Sequence, residues 1–235
     1  MEELIRIKVE ESIFFIKKGT PLSELLTELP FDQKPILFRS DGQLLDLSHP
    51  ADREREIFPV FSGDPEALEV LRHSAAHLLA HAVTDLFPGV QVGIGPSVEN
   101  GFYYDFLRET PFTPEDLEAI ENRMREIVNL NQPIKRLLLP KEEAIRIFKE
   151  RGQELKVELI QEKGGAEVSC YTQGDFIDFC LGPHLPSTGY IQHFKLLSVS
   201  GAYWKGDESG PQLQRIYGTA FFSEKELEDY LNFLE

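Results

Sequence analysis

Two histidines one helical turn apart, in His73-Ser74-Ala75-Ala76-His77, are answered far downstream by Cys180-Leu181-Gly182-Pro183-His184. At about 100° per residue, Leu68, Leu71, Ala75, Leu78, Leu79, Ala82 and Leu86 gather on one side of a helix. His73, His77 and His81 fall on the other side, among the small residues Ala76, Ala80 and Thr84. A solvated face would carry Glu, Lys or Arg there. Small residues around histidines suit the floor of a cavity; partly buried structural histidines under a sheet are the alternative. Cys180 and His184 cannot share a helix face, because Gly182-Pro183 breaks any helix between them. They belong to a tight loop after the apolar strand Phe176-Ile177-Asp178-Phe179, in which Asp178 and Cys180 point the same way. Either the fold brings helix and loop together into a hydrolytic or metal site, or this is an acidic globular chain with scattered histidines.

Composition sets the outer limits. The 235 residues suffice for one large or two smaller domains, and 41% apolar with 27% charged content is ordinary for a globular protein. No apolar run approaches the roughly 20 residues needed to cross a bilayer, and Met1-Glu2-Glu3 begins no signal peptide. Two cysteines are too few for a disulfide framework, which points to a reducing, cytoplasmic setting. The net charge of −16 argues against clamping nucleic acid by bulk attraction, and DNA and membrane are not expected partners. Lys135, Arg136, Lys141, Arg146, Lys149, Arg151 and Lys156 nevertheless outnumber the acids among them. That stretch reads either as a local basic surface or as a solvated helix face with i,i+4 pairs.

The expected fold class is α+β. Residues 1–62 read as strand, strand, short helix and further strands, the order of a β-grasp module. The cues are the alternation Ile5 to Val9, a return at Ile13–Ile16, a Thr20-Pro21 helix start, an Asp41-Gly42 hairpin and a strand at Ile57–Phe61. Ser62-Gly63-Asp64-Pro65 marks a boundary and starts the histidine helix, with Asp64 as cap and Pro65 at its first position. Residues 63–223 then form a larger unit. Its cues are an Asn100-Gly101 hairpin, a capped helix from Thr113-Pro114-Glu115-Asp116, a helix after Pro140, and mainly strands and loops from Leu155 to Tyr217. A closing helix over 224–235 still runs at Glu235, which suggests the front of something longer.

Two His plus Cys and His have the softness and number that zinc prefers. A zinc peptidase motif needs Glu directly after the first His, where Ser74 stands. Cys170 reads as a small buried residue rather than a ligand.

The runs Arg72–Leu79, Asn100–Asp105, Cys180–His184, His193–Leu196, Gly201–Asp207 and Leu213–Ala220, taken together, resemble the N-terminal region of bacterial-type threonyl-tRNA synthetases. The resemblance covers essentially the whole chain, most strongly residues 66–222. It implies a β-grasp module of the TGS (ubiquitin-like) type followed by an editing domain shared in fold with alanyl-tRNA synthetases. Such a domain hydrolyses serine wrongly attached to threonine tRNA. The ATP-dependent aminoacylation core, with its own zinc, and the anticodon domain would lie beyond residue 235.

Carried over position by position, the resemblance implies an editing pocket of His73, His77, Lys156, Asp178, Cys180 and His184, walled by Tyr104. His73 or His77 would position or deprotonate water, and Lys156 would hold the ribose side or the developing oxyanion. Asp178 would bind the serine ammonium or orient a histidine, with Cys180 and His184 lining the amino-acid end. The family pocket is described as metal-free, whereas the alanine-specific relatives carry zinc there; if zinc is present, its ligands are His73, His77, Cys180 and His184. Leu181 stands where relatives often carry Arg, and His81 and His193 read as structural. The implied partners are the serine-bearing 3′ end of threonine tRNA and the rest of the synthetase, whose anticodon domain would supply much of the tRNA affinity. The competing readings are a non-catalytic RNA-binding module and a free-standing zinc hydrolase.

Overall fold

The structure is a computed structural model that describes residues 3–234. The expectations placed on Met1, Glu2 and Glu235 lie outside the described residues.

The first five strands are β1 (Leu4–Val9), β2 (Ser12–Lys17), β3 (Leu37–Ser40), β4 (Gln43–Asp46) and β5 (Arg55–Val60). They form one sheet in the order β2-β1-β5-β3-β4, with β1 and β5 parallel and the other neighbours antiparallel. Alternation buries Ile5, Ile7 and Val9 against Leu22, Leu25, Phe38 and Ile57. At the β3–β4 turn Asp41 and Gly42 both take positive φ, the geometry of a two-residue hairpin that Asp-Gly favours. The expected short helix is a 3-10 turn over Leu22–Thr27, capped by Pro21 without a side-chain bond. Thr20 is held by its backbone instead: its N–H donates to Lys17 and its carbonyl accepts from Ala51.

After β5 the chain enters α1 (Pro65–Leu86). Proline stands at its start as expected, but the Asp64 carboxylate accepts the Phe61 N–H at 2.8 Å and bonds no helix amide. Then come β6 (Gln91–Val92), β7 (Ser97–Val98), β8 (Gly101–Leu107), α2 (Pro114–Leu130), β9 (Ile134–Pro140) and α3 (Lys141–Glu150). They are followed by α4 (Glu154–Lys163), β10 (Glu167–Gln173), β11 (Phe176–Phe179), β12 (His193–Tyr203), β13 (Gln212–Phe221) and α5 (Glu224–Leu234). Two antiparallel sheets result, β11-β10-β9 and β12-β13-β8-β6, with β7 hairpinned onto β8. The molecule is therefore α+β, with several sheets.

α1 is buried on nearly every side. Its apolar face joins Phe102, Phe106, Ile216 and the α2 residues Ile120, Met124 and Ile127, and Ile36, Leu37 and Val60 of the first sheet enter the same cluster. The opposite face, with Ala76 and Ala80 fully covered, meets Phe176, Gln173 and the loop to Leu185. Small side chains on that face let a second layer approach closely.

The stretch from Leu155 differs from expectation: it is helix α4, not strand or loop. Leu155, Lys156, Val157, Leu159 and Ile160 are all buried, so apolar residues surround the helix and leave no stripe at helical spacing to read. The basic run also proves to be no single surface. Lys156 is buried, Arg136 contacts His49 and Ser169, Lys141 donates to the carbonyls of Gln161 and Gly164, and Arg151 donates to that of Asp175. Among the described residues no helix is long and apolar enough to cross a membrane.

The expected capping box at α2 is present, with Thr113 and Asp116 bonding each other's backbone N–H. Thr113→Ala should lower unfolding free energy by about 1 kcal/mol in urea titrations; an unchanged midpoint would mean that the box contributes nothing.

Candidate active site

α1 and the loop after β11 converge. The ligand atoms of His73, His77, Cys180 and His184 all lie within 4.8 Å of one another. His73 Nε2 is 3.0 Å from Cys180 Sγ, and its ring stacks on that of His184 at 4.4 Å. His77 stands edge-on to both, at 4.9 and 4.2 Å.

A second constellation lies against the first. Lys156 Nζ, reaching in from α4, is 2.5 Å from Asp178 Oδ1 on β11. Tyr104 on β8 donates its O–H to Asp178 Oδ2 at 2.5 Å, and His77 Nδ1 faces the same oxygen at 3.5 Å. Every side chain anticipated for the site is therefore in one place. Asp178, Lys156, Tyr104 and His184 are essentially inaccessible, while His73 and Cys180 are half-buried and closer to the surface.

Each histidine is anchored at one edge. His184 Nδ1 lies 3.1 Å from Ser74 Oγ, which itself accepts the Leu185 N–H at 3.0 Å. The Ser74 hydrogen is thus free to point at Nδ1, and His184 Nε2 is left buried without a partner. His77 has Asp178, and the Gly95 backbone bonds the His73 ring. Cys180 Sγ accepts the Gly182 N–H at 3.2 Å. Two glycines make this approach possible. A Cβ on Gly95 would fall 2.1 Å from a Tyr104 ring carbon, and Gly182, at φ +73°, has the Tyr171 hydroxyl 2.0 Å from where its Cβ would be.

Burial dominates the electrostatics. It pushes His73, His77 and His184 below the ordinary histidine range, far below for the last two, where neighbouring histidines add to it. Burial and Asp178 hold the Tyr104 phenol well above its usual range, and burial lifts the Cys180 thiol to about 12. The rings are neutral near pH 7, able to accept a proton, and the thiol is un-ionised.

The donor set fits a zinc ion in number and kind, and Asp178 beside His77 and the N–H on sulfur are supports such ligands use. At His184 a Ser74 hydroxyl donating to Nδ1 leaves the proton on Nε2, so that hydroxyl would have to turn before Nε2 could hold the ion. His73 Nε2 and Cys180 Sγ are nonetheless at direct hydrogen-bond separation, closer than the roughly 3.5 Å that two ligands of a tetrahedral zinc keep. An ion would have to open that contact slightly.

The site opens into a hollow of about 320 Å³ walled by Leu44, Glu69, Val70, His73, Pro96, Ser97, Gly182 and Pro183. A larger hollow of about 1030 Å³ around Phe87, Arg108 and Gln214 touches none of these groups except through the shared body of the protein. His81 stands behind the site, stacked on Phe176 and bonded to Gln173. Cys170 is buried apart from the four-donor group, and Leu181 is 81% exposed. Sequence reasoning missed Ser74, Gln173 and Tyr171 as supports. A hydroxyl in an otherwise apolar turn was a signal for Ser74; nothing local distinguished the other two.

Residues 168–217 match the family described as "Threonyl and Alanyl tRNA synthetase second additional domain". Relatives named threonine–tRNA ligase are 50% identical over 222 residues in Pelobacter propionicus (94% of this chain, 35% of the relative) and 53% over 195 in Citrifermentans bemidjiense (83% and 31%). In Oleidesulfovibrio alaskensis the identity is 46% over 235 residues (98% and 36%). The chain belongs with the N-terminal region of the threonyl-tRNA synthetases. It spans about a third of the length of the curated relatives it matches.

The depressed histidines carry a pH signature. An unfolded chain takes up protons at these rings as pH falls through about 6.5, whereas the folded chain does not. With chelator present, urea titrations should show stability level above pH 7 and falling from pH 6.5 toward 5. A profile flat over that interval would contradict neutral, desolvated rings.

Proposed function

We propose that this chain carries the editing activity of a threonyl-tRNA synthetase: hydrolysis of the ester joining serine to the 3′-terminal adenosine of threonine tRNA. The observation that carries the reading is the meeting of neutral histidines with a fully buried Lys156–Asp178–Tyr104 set at the end of one small hollow. A module that only gripped RNA would have no use for so costly a buried set.

In this mechanism water adds to the ester carbonyl, the bond from the acyl carbon to the ribose oxygen breaks, and serine leaves as the ribose oxygen takes a proton. His73, half-buried beside the mouth, accepts the proton of the attacking water, and His77 holds the water from the inner side. Lys156 stabilises the developing oxyanion or the ribose oxygen. Asp178 orients its neighbours or binds the serine ammonium: Oδ2 accepts the Tyr104 O–H and faces His77, and Oδ1 faces Lys156 as an ion pair with no hydrogen-bond partner of its own. Cys180 and His184 line the amino-acid end, and Tyr104 walls it. Threonine differs from serine by one methyl, worth about 1–3 kcal/mol in a pocket, so a second, smaller site multiplies the selectivity of the first.

Zinc, held by His73, His77, Cys180 and His184, would supply Lewis acidity and a more acidic water. The four-donor cluster is what favours this second reading, a zinc hydrolase. We further read residues 1–62 as a β-grasp module of the TGS type, 63–223 as the editing domain and 224–235 as the start of a linking helix. What supports the first of these is the sheet order with its parallel central pair and a hydrophobic cluster of its own. The partners on this reading are threonine tRNA and the remaining two thirds of a cytoplasmic synthetase, where ATP-dependent aminoacylation resides.

The purified chain should release serine from serine-charged threonine tRNA and leave threonine-charged tRNA intact. His73→Ala and His77→Ala should each slow that release by about 10²–10⁴-fold with unchanged circular dichroism; undiminished rates would remove both from the mechanism. Elemental analysis decides the metal: the metal-free reading expects zinc well below one per chain, and one tightly held zinc whose removal abolishes activity would replace it.

A further inference from the structure

One network joins the first sheet to the site. Asp46, buried at the end of β4, accepts the Tyr171 O–H at Oδ2, at 2.5 Å, and the Ser48 O–H at Oδ1, at 2.7 Å. Ser48 Oγ in turn accepts the Arg136 N–H of β9 at 3.1 Å. Tyr171 sits mid-sheet on β10, opposite Arg136 on one side and Asp178 on the other. Its ring stands edge-on to His184 at 4.5 Å, and its hydroxyl lies beneath Gly182, where a Cβ would be 2.0 Å away. Leu44, two residues before Asp46, walls the same mouth as His73 and Pro183.

We propose that Asp46 and Tyr171 are positioning residues through which the N-terminal sheet holds the Cys180–His184 loop and the His184 ring in working geometry, an inference that rests on the editing reading above. The phenol touches the carboxylate of the first sheet, the loop of the site and the His184 ring, so the direction Asp46 imposes on it is passed to loop and ring. Burial and Asp46 raise the Tyr171 phenol above its usual range, which keeps it a donor at every working pH. Without Asp46 a buried hydroxyl would lose its acceptor and the ring its fixed tilt. A displacement near 1 Å at reacting groups costs up to roughly a hundredfold in rate.

The test uses the whole chain with Asp46→Ala, Tyr171→Phe, the double variant, the conservative Asp46→Asn, and Arg39→Ala as control. Arg39 makes an exposed contact to Glu66 between the first sheet and α1, 3.3 Å long, outside the site. Two quantities are read: amide hydrogen exchange at Gly182, His184 and Leu185, and kcat and KM for serine release measured separately. Asp46→Ala and Tyr171→Phe should speed exchange at those amides about tenfold and lower kcat roughly ten- to a hundredfold at little-changed KM. The double variant should be no worse than either single one. Asp46→Asn, which keeps an acceptor, should restore most of the rate, and Arg39→Ala should change neither quantity. Should Asp46→Ala unfold, Tyr171→Phe, which keeps the packed ring, decides alone. Unchanged exchange in Tyr171→Phe, or an equal loss of kcat in Arg39→Ala, overturns the proposal. If the unaltered chain releases no serine, the editing reading falls, while the exchange measurement still decides whether the two units are coupled.

Discussion

A lysine and an aspartate with almost no solvent exposure, 2.5 Å apart, hold the centre of this molecule together. Taking two charges out of water costs several kcal/mol each, repaid only by good mutual geometry and by hydrogen bonds to the remaining lone pairs. Asp178 meets that condition in part: Tyr104 donates to Oδ2 and His77 lies 3.5 Å from the same oxygen, while Oδ1 has only the Lys156 ammonium against it. The requirement reaches outward: α4 must lie where Lys156 can reach β11, β8 must turn Tyr104 inward, and α1 must present His77 to the same oxygen. One carboxylate thereby sets the relative placement of elements from four parts of the chain.

The same desolvation that makes the pair costly prepares the histidines. Excluded from water, they shed their protons and become acceptors, while thiol and phenol keep theirs. The site therefore sets neutral bases from α1 and the loop after β11 beside a lysine from α4, the pairing that the proposed attack of water on an ester uses. Rigidity comes from glycines that let Tyr104 and Tyr171 approach backbone directly. The first sheet adds to it from outside, through Asp46.

Much of this was legible in the residues. The histidine helix, the Asp41-Gly42 hairpin and the Thr113 capping box are local features, each written in a short run whose chemistry admits few alternatives. The hairpin expected at Asn100-Gly101 forms one residue earlier, turning at Glu99-Asn100 with Gly101 already paired to Val98. The meeting of His73 and His77 with Cys180 and His184 was anticipated from their chemistry together with the family resemblance. α4 escaped because burial on all sides erases helical periodicity. Asp46 and Tyr171 escaped because their bond spans residues far apart in sequence, and neither residue type is unusual where it stands. The basic run admitted a surface or a solvated helix face, and burial, not charge count, decided what Lys156 does.

Binding of a nonhydrolysable adenosine bearing serine through an amide, followed by side-chain NMR of the histidines, addresses the central claim most directly. The account predicts that the ring resonances of His73, His77 and His184 shift on binding, and that the threonine-bearing analogue binds at least about tenfold more weakly. Equal affinity for the two analogues, or shifts confined to the hollow around Phe87 and Gln214, would contradict it.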